Sequence, residues 1–210
     1  MPAPPIIAID GPAASGKTSV GCALAARLGC RFVDTGLMYR AVTALALERG
    51  VRLDDDAALT CLAEGERIEP GERVLANGAD VTDGLWSADV ERSVSRVSAV
   101  SGVRRALVAQ QRLLAEQGVV MVGRDIGSVV LPGAAKVYLD ASVGERARRR
   151  AAETGAPDEE RVRAELERRD RLDSERGDSP LRVPDGAVVV DTDGLDVDGV
   201  VDAVLEALGR

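Results

Sequence analysis

The run Ile6-Ile7-Ala8-Ile9 passes directly into Gly11-Pro12-Ala13-Ala14-Ser15-Gly16-Lys17-Thr18-Ser19, with the spacing G-x-x-x-x-G-K-[ST]. Glycines at these positions let the backbone wrap tightly, so that successive N–H groups and the next helix N-terminus aim at phosphate oxygens. Lys17 then reaches the β- and γ-phosphates, and the Thr18 hydroxyl ligates Mg²⁺. Such a loop must follow a buried strand and open a helix. It does, because Val20, Leu24 and Leu28 recur at helical spacing until Gly29 stops the pattern. Of 27 basic residues only Lys17 and Lys136 are lysines, so a chain that otherwise uses Arg places a compact ammonium here.

Short apolar runs bounded by turn residues recur at Ile6 to Ile9, Arg31 to Val33, Val119 to Val122, Val137 to Leu139 and Ala187 to Val190. Helical patterns lie between or after them: Met38, Val42, Leu45; Val103, Leu107, Leu114; and Val201, Leu205, Leu208. This alternation predicts an α/β fold, a parallel sheet of five strands with helices on both faces. At 210 residues and 45% hydrophobic content, one domain over 1–210 is expected. Two segments depart from the alternation. Glu69 to Thr82 carries Asn77-Gly78 between β-prone runs and predicts a hairpin within a small insert at about 60–100. The Arg-rich stretch Glu145 to Arg176 reads as two helices joined by a turn at Thr154-Gly-Ala-Pro157.

Composition excludes several chemistries. There is no histidine, so imidazole acid–base steps and Ser-His or Cys-His nucleophiles are ruled out. Cys22, Cys30 and Cys61 are odd in number and lack C-x-x-C spacing, which predicts free thiols in a reducing cytoplasm. The sequence has no apolar run of membrane-spanning length and no charged n-region, so a soluble intracellular protein is expected. A net charge of −8 argues against nonspecific nucleic-acid or membrane partners, and one Trp, two Tyr and one Phe give little for stacking bases. No amphipathic seam suggests a partner chain, so a monomer is expected.

Three polar clusters remain to say what receives the phosphate. Asp34-Thr35-Gly36-Leu37-Met38-Tyr39-Arg40 follows the second predicted strand, and Gly123-Arg124-Asp125-Ile126-Gly127-Ser128 follows the third. In open α/β sheets ligands bind outside the carboxyl ends of strands, where both would converge with the phosphate loop. In the third cluster Arg169, Asp173 and Arg176 fall at i, i+4 and i+7, one face of a helix, which also suits a solvated helix with internal ion pairs.

GPAASGKT, DTGLMYR, VGRDIGSVV and ERRDRLDSER, in this order and approximate spacing, resemble the bacterial cytidylate kinases. The resemblance covers essentially the whole chain. It implies a nucleoside monophosphate kinase fold with a monophosphate-binding insert and a helical lid at about 145–176, transferring the ATP γ-phosphate to CMP or dCMP with Mg²⁺. It assigns Gly11 to Ser19 to ATP, and Thr35, Tyr39 and Arg40 to the acceptor nucleotide. Arg40, Arg124 and Arg176 fall at acceptor-phosphate positions, Arg169 and Asp173 at a sugar-binding pair, and Ser95, Arg104 and Asp125 at base readers. By this resemblance Lys17, Arg124 and Arg176 carry catalysis.

The base assignment also makes physical sense. Cytosine presents an N4 donor and an N3 acceptor, and uracil reverses both. A carboxylate at Asp125 suits N4 and an arginine at Arg104 suits N3 or O2, the lesser alternative for Asp125 being a helix N-cap after a strand. Phosphoryl transfer to an anionic oxygen needs no general base, so the missing histidine is no obstacle. Arg146 and Arg150 could serve as lid arginines or form a solvated basic face. A UMP or AMP kinase on the same scaffold is the nearer alternative. A GTP-binding switch is disfavoured, because the sole asparagine, Asn77, is followed by Gly and cannot begin N-K-x-D.

Overall fold

The computed structural model describes residues 4–116, 118–156 and 158–210. They form two compact units.

The first unit contains residues up to 32 and from 117 onward. Its centre is β1 (Ile6–Asp10), in which Ile7, Ala8 and Ile9 are fully buried. Continuous apolar character suits a strand covered on both faces. β1 pairs in parallel with β6 (Val119–Gly123), Ile6 opposite Val119 and Asp10 opposite Gly123, and with β7 (Ala135–Asp140), Ile9 opposite Val137. β7 pairs in parallel with β8 (Val188–Asp191), and β2 (Arg31–Asp34), where the chain leaves this unit, completes the order β2-β6-β1-β7-β8. The five expected strands are thus all present, each within about a residue or two of its expected limits. Because β6 and β7 flank β1, the phosphate loop leaves the middle of the sheet at a reversal of strand order, where α/β proteins bind ligands.

Helices α1 (Lys17–Leu28) and α8 (Val197–Ala207) contribute Val20, Leu24, Val200, Val201 and Val204 to one core with Ile7, Ile9, Val120, Val122, Val137 and Leu139. The Arg-rich arm is two helices, α6 (Val143–Thr154) and α7 (Glu159–Ser174). Of the expected turn, Gly155 caps α6 in the left-handed region, and Pro157 lies outside the described residues. α7 ends at Ser174, so Arg176 does not share its helical face with Arg169 and Asp173, as the sequence spacing suggested.

The second unit, residues 33–116, is wider than the insert expected at about 60–100. Besides α2 (Thr35–Glu48) and α5 (Ser101–Leu113) it includes α3 (Asp56–Gly65) and α4 (Ala88–Ser98), which no expectation covered. Both have local signals. Asp55 caps α3 by accepting from Ala58 N, and Ser87 caps α4 by accepting from Val90 N, ahead of Val90, Val94 and Val97 on one buried stripe. Met38, Val42, Leu45, Leu59, Val97, Val103 and Leu107 share its core. The predicted hairpin is β4 (Leu75–Ala76) and β5 (Ala79–Asp80), extended by β3 (Ile68–Glu69) into an antiparallel sheet. Its turn residues Asn77 and Gly78 both have positive φ, 48° and 82°, the pair a two-residue type I′ turn demands.

Candidate active site

Gly11 opens the phosphate loop so close to β7 that a Cβ there would lie 2.2 Å from the Leu139 carbonyl oxygen. No other residue fits against that backbone. The loop then runs through Ala14, at φ 58°, to Gly16, after which α1 begins. Lys17 is buried and its Nζ donates to the Pro12 carbonyl at 2.5 Å and to Ser15 Oγ at 3.2 Å, so the ammonium sits within the loop. Thr18 and Ser19 are exposed in the first turn of α1, which contains no acidic residue to oppose an anion.

Asp10, the last residue of β1, is fully buried and accepts from Ile126 N and Gly127 N, both at 2.7 Å. Those amides open a single π-turn, Ile126–Val130. The cap the sequence offered to Asp125 is therefore supplied from β1, and the Asp125 side chain makes no capping bond. Burial pushes the Asp10 carboxyl up to about 6, with nearby Asp125 adding to the rise; the Gly127 and Ile126 amides and Lys17 oppose it. No sequence motif marks Asp10, whose role depends on an amide pair far along the chain.

Arg124, at the end of β6, donates from Nη1 to the Gly11 carbonyl at 3.0 Å and from Nε to Asp173 Oδ2 at 2.7 Å. Arg176 donates to the other oxygen of the same carboxylate. Burial alone would raise the Asp173 carboxyl, but the charges of Arg124, Arg176 and Arg169 outweigh it and hold Asp173 below its ordinary value. Arg124, Asp173 and Arg176 are thus gathered beside the phosphate loop, with Arg169 near enough to act on Asp173 electrostatically. Arg146 is buried and bonded to the loop backbone at Ala13 and to Asp170, and Arg150 pairs with Glu153 at 3.5 Å.

In the second unit Asp34 caps α2 by accepting from Gly36 N, which places Thr35, Tyr39 and Arg40 on its first turns, all buried. Arg40 donates to the Leu85 carbonyl at 3.2 Å and to Glu91 at 2.5 Å, and its guanidinium lies 4.5 Å from the Trp86 ring centre. Arg104 lies over the Tyr39 ring and donates to the Ser98 carbonyl at 3.1 Å. Ser95 is half-buried on α4, one turn before Ser98, whose hydroxyl donates to its carbonyl. Glu91 and Trp86 belong to no motif, and sequence spacing alone does not mark them. A groove of about 540 Å³ in this unit is walled by Glu48, Asp80, Asp83 and Asp89, the wrong charge for a nucleotide.

A phosphate loop on the central strand of a five-stranded parallel sheet, with partly or fully buried arginines beside the loop, defines a phosphate-loop nucleotide-binding fold. Solved structures share the fold: a gluconokinase from Sinorhizobium meliloti (20% identity, TM-score 0.52, covering 99% of this chain and 93% of that one) and a shikimate kinase from Bacteroides thetaiotaomicron (14%, 0.53, 98% and 99%). The chain belongs to the cytidylate kinase family, which it matches over residues 7–210. It is 50% identical to a cytidylate kinase of Geobacillus kaustophilus over 97% of this chain and 96% of that protein. It is 47% identical to a bifunctional pantoate ligase/cytidylate kinase of a Synechococcus strain, of whose length it spans 40%.

Proposed function

We propose that the chain transfers the γ-phosphate of ATP to CMP or dCMP, giving ADP and CDP or dCDP. The observation that carries this reading is the Arg124 bridge, which ties a buried carboxylate–arginine cluster to the first residue of the phosphate loop. That bridge puts a guanidinium beside the loop, where charge must be neutralised during transfer.

In this reading Gly11 to Ser19 cradle the donor phosphates and Lys17 supplies their point charge. An acceptor phosphate oxygen attacks the γ-phosphorus while the bond to the β,γ-bridging oxygen breaks, and ADP leaves with that electron pair. Arg40, Arg124 and Arg176 hold the acceptor phosphate; Thr35 and Tyr39 contact the acceptor nucleotide; Arg169 and Asp173 bind its sugar. Ser95, Arg104 and Asp125 read the base. Planar guanidiniums suit the two anionic partners because they bind phosphate bidentately and stay charged. Donors already fixed in place also avoid solvent reorganisation.

Thr18 would hold Mg²⁺ together with the nucleotide, and the ion would supply charge neutralisation on the transferring phosphoryl group. Thr18 lies exposed in the first turn of α1, a position that suits an ion arriving on the nucleotide, and among the described residues no group of three or more acidic or thiol side chains is placed to hold a metal. The partners in this reading are ATP and CMP or dCMP, without nucleic acid or membrane. The setting in this reading is a monomer in a reducing cytoplasm, with 1–210 as a single cytidylate kinase domain. Cys22, Cys30 and Cys61 are free thiols, as a reducing compartment would keep them.

The test is ADP release with Mg-ATP and a panel of CMP, dCMP, UMP, AMP and GMP. Turnover confined to CMP and dCMP is expected. Preferred turnover of another monophosphate would discard the base readers, and no turnover with any would overturn the kinase assignment for this chain.

A further inference from the structure

The phosphate loop is held from outside at a peptide no motif singles out. Ala13 N donates to Asp170 Oδ1 at 3.1 Å, and Arg146 Nη1 donates to the Ala13 carbonyl at 3.0 Å. Arg146 also bonds Asp170 Oδ2 at 2.5 Å, and its Nε donates to the Ala141 carbonyl at 3.1 Å, which fixes the guanidinium plane. Both polar groups of Ala13 are therefore taken by one ion pair formed between α6 and α7. An apolar contact backs it, because Ala13 clusters with Ala147 and Leu166, and Ala14 and Val162 pack against them.

A trans peptide is planar, with its C=O and N–H pointing opposite ways. Anchoring the Ala13 carbonyl on Arg146 therefore turns the next N–H, that of Ala14, away from the guanidinium. The same anchor addresses backbone strain. Ala14 is held at φ 58°, a left-handed conformation that alanine keeps only where its surroundings impose it. Released from Arg146, the Ala13–Ala14 peptide would relax by flipping, which would present a carbonyl to the nucleotide where an N–H is needed.

We propose that Arg146 and Asp170 are positioning residues for the donor nucleotide, which lock the Ala13–Ala14 peptide in its phosphate-binding orientation. Arg146 then acts through the backbone and is not a lid arginine on the transferred phosphate. This rests on the reading of Gly11 to Ser19 as the ATP loop.

The test is calorimetric titration of the full chain with Mg²⁺ and a non-hydrolysable ATP analogue, without acceptor. Arg146→Met is expected to weaken analogue binding about tenfold, the effect of one charged hydrogen bond. The KM for CMP should stay the same. Adding Ala14→Gly to that variant should restore most of the loss, because glycine adopts φ 58° without a Cβ penalty. Unchanged affinity in a folded Arg146→Met protein overturns the proposal. A loss that Ala14→Gly does not recover overturns it as well, since Arg146 would then be acting on the nucleotide directly. If Arg146→Met does not fold, Asp170→Asn with the same second substitution carries the test. Lys17→Ala separates the underlying reading: full affinity in that variant means the loop is not the ATP site, and both readings fall.

Discussion

Arg124 donates to the carbonyl of Gly11 at 3.0 Å, so the first residue of the phosphate loop and the arginine at the end of the neighbouring strand are one rigid feature. The remaining guanidinium edge bonds Asp173. Arg124→Lys keeps the charge and loses the planar fork, so it cannot bond the carbonyl and the carboxylate in this geometry. We expect kcat/KM for CMP to fall about 10²-fold, the scale for removing one preorganised donor, and thermal stability to fall as well, because the buried Asp173 carboxylate loses part of its pairing. Near-normal kinetics would show that the fork is structural only.

Asp125 is buried beside the Asp10-capped turn, and its own side chain does not cap that turn. Asp125→Asn should therefore leave the turn intact while replacing a carboxylate acceptor with an amide. The CMP/UMP ratio of kcat/KM should drop by at least about tenfold, since a mismatched buried polar pair costs about 1–3 kcal/mol. A ratio equal to that of the parent protein counts against Asp125 as a base reader.

Asp10 makes stability depend on pH with a predictable sign. Its folded-state value, about 6, lies above the ordinary 3.8, so the native chain binds the proton more tightly than the unfolded chain. That contribution is complete below the unfolded value and is lost as pH rises through about 6. In denaturant melts, the stability of the parent protein relative to Asp10→Asn should fall by about 3 kcal/mol between about pH 3.5 and 7. A flat difference over that window would mean that Asp10 is not buried as a high-value carboxyl.

The sole tryptophan, Trp86, is 60% exposed yet stacks on the buried Arg40 guanidinium, which also bonds Glu91. A monophosphate that engages Arg40 must disturb this stack, so CMP should shift or quench the intrinsic fluorescence in a saturable way. ATP alone should not. If Arg40 holds the acceptor phosphate, Arg40→Lys should raise the CMP concentration needed by about tenfold, because an ammonium cannot bind phosphate bidentately. A tryptophan signal indifferent to CMP would argue that Arg40 serves only to hold Leu85 and Glu91 in the second unit.

Features that depend on close neighbours along the chain are legible in the residue order. The phosphate loop needs only glycine and lysine spacing, α1 needs Val20 and Leu24, and the hairpin needs Asn77-Gly78, whose residues tolerate positive φ. The cap at Ser87 and the stripe Val90, Val94, Val97 are equally local signals, sufficient to locate α4. The one-face placement of Arg169, Asp173 and Arg176 fails because it assumes a helix running past Ser174, and helix ends are weakly encoded.

Residue order alone dictates an α/β chain with a phosphate loop, a Gly-Arg-Asp segment after a strand and an Arg-rich pair of helices, because periodicity, turn chemistry and motif spacing act over a few residues. Which side chains meet depends instead on how the elements pack. Ala13 and Asp170 lie 157 positions apart, Gly11 and Arg124 lie 113 apart, and Asp10 finds the Ile126 amide 116 positions away. Such partners are selected by strand order and burial. Placing β6 and β7 on either side of β1 brings the carboxyl ends of distant strands together, and removing them from water makes each buried charge find a partner.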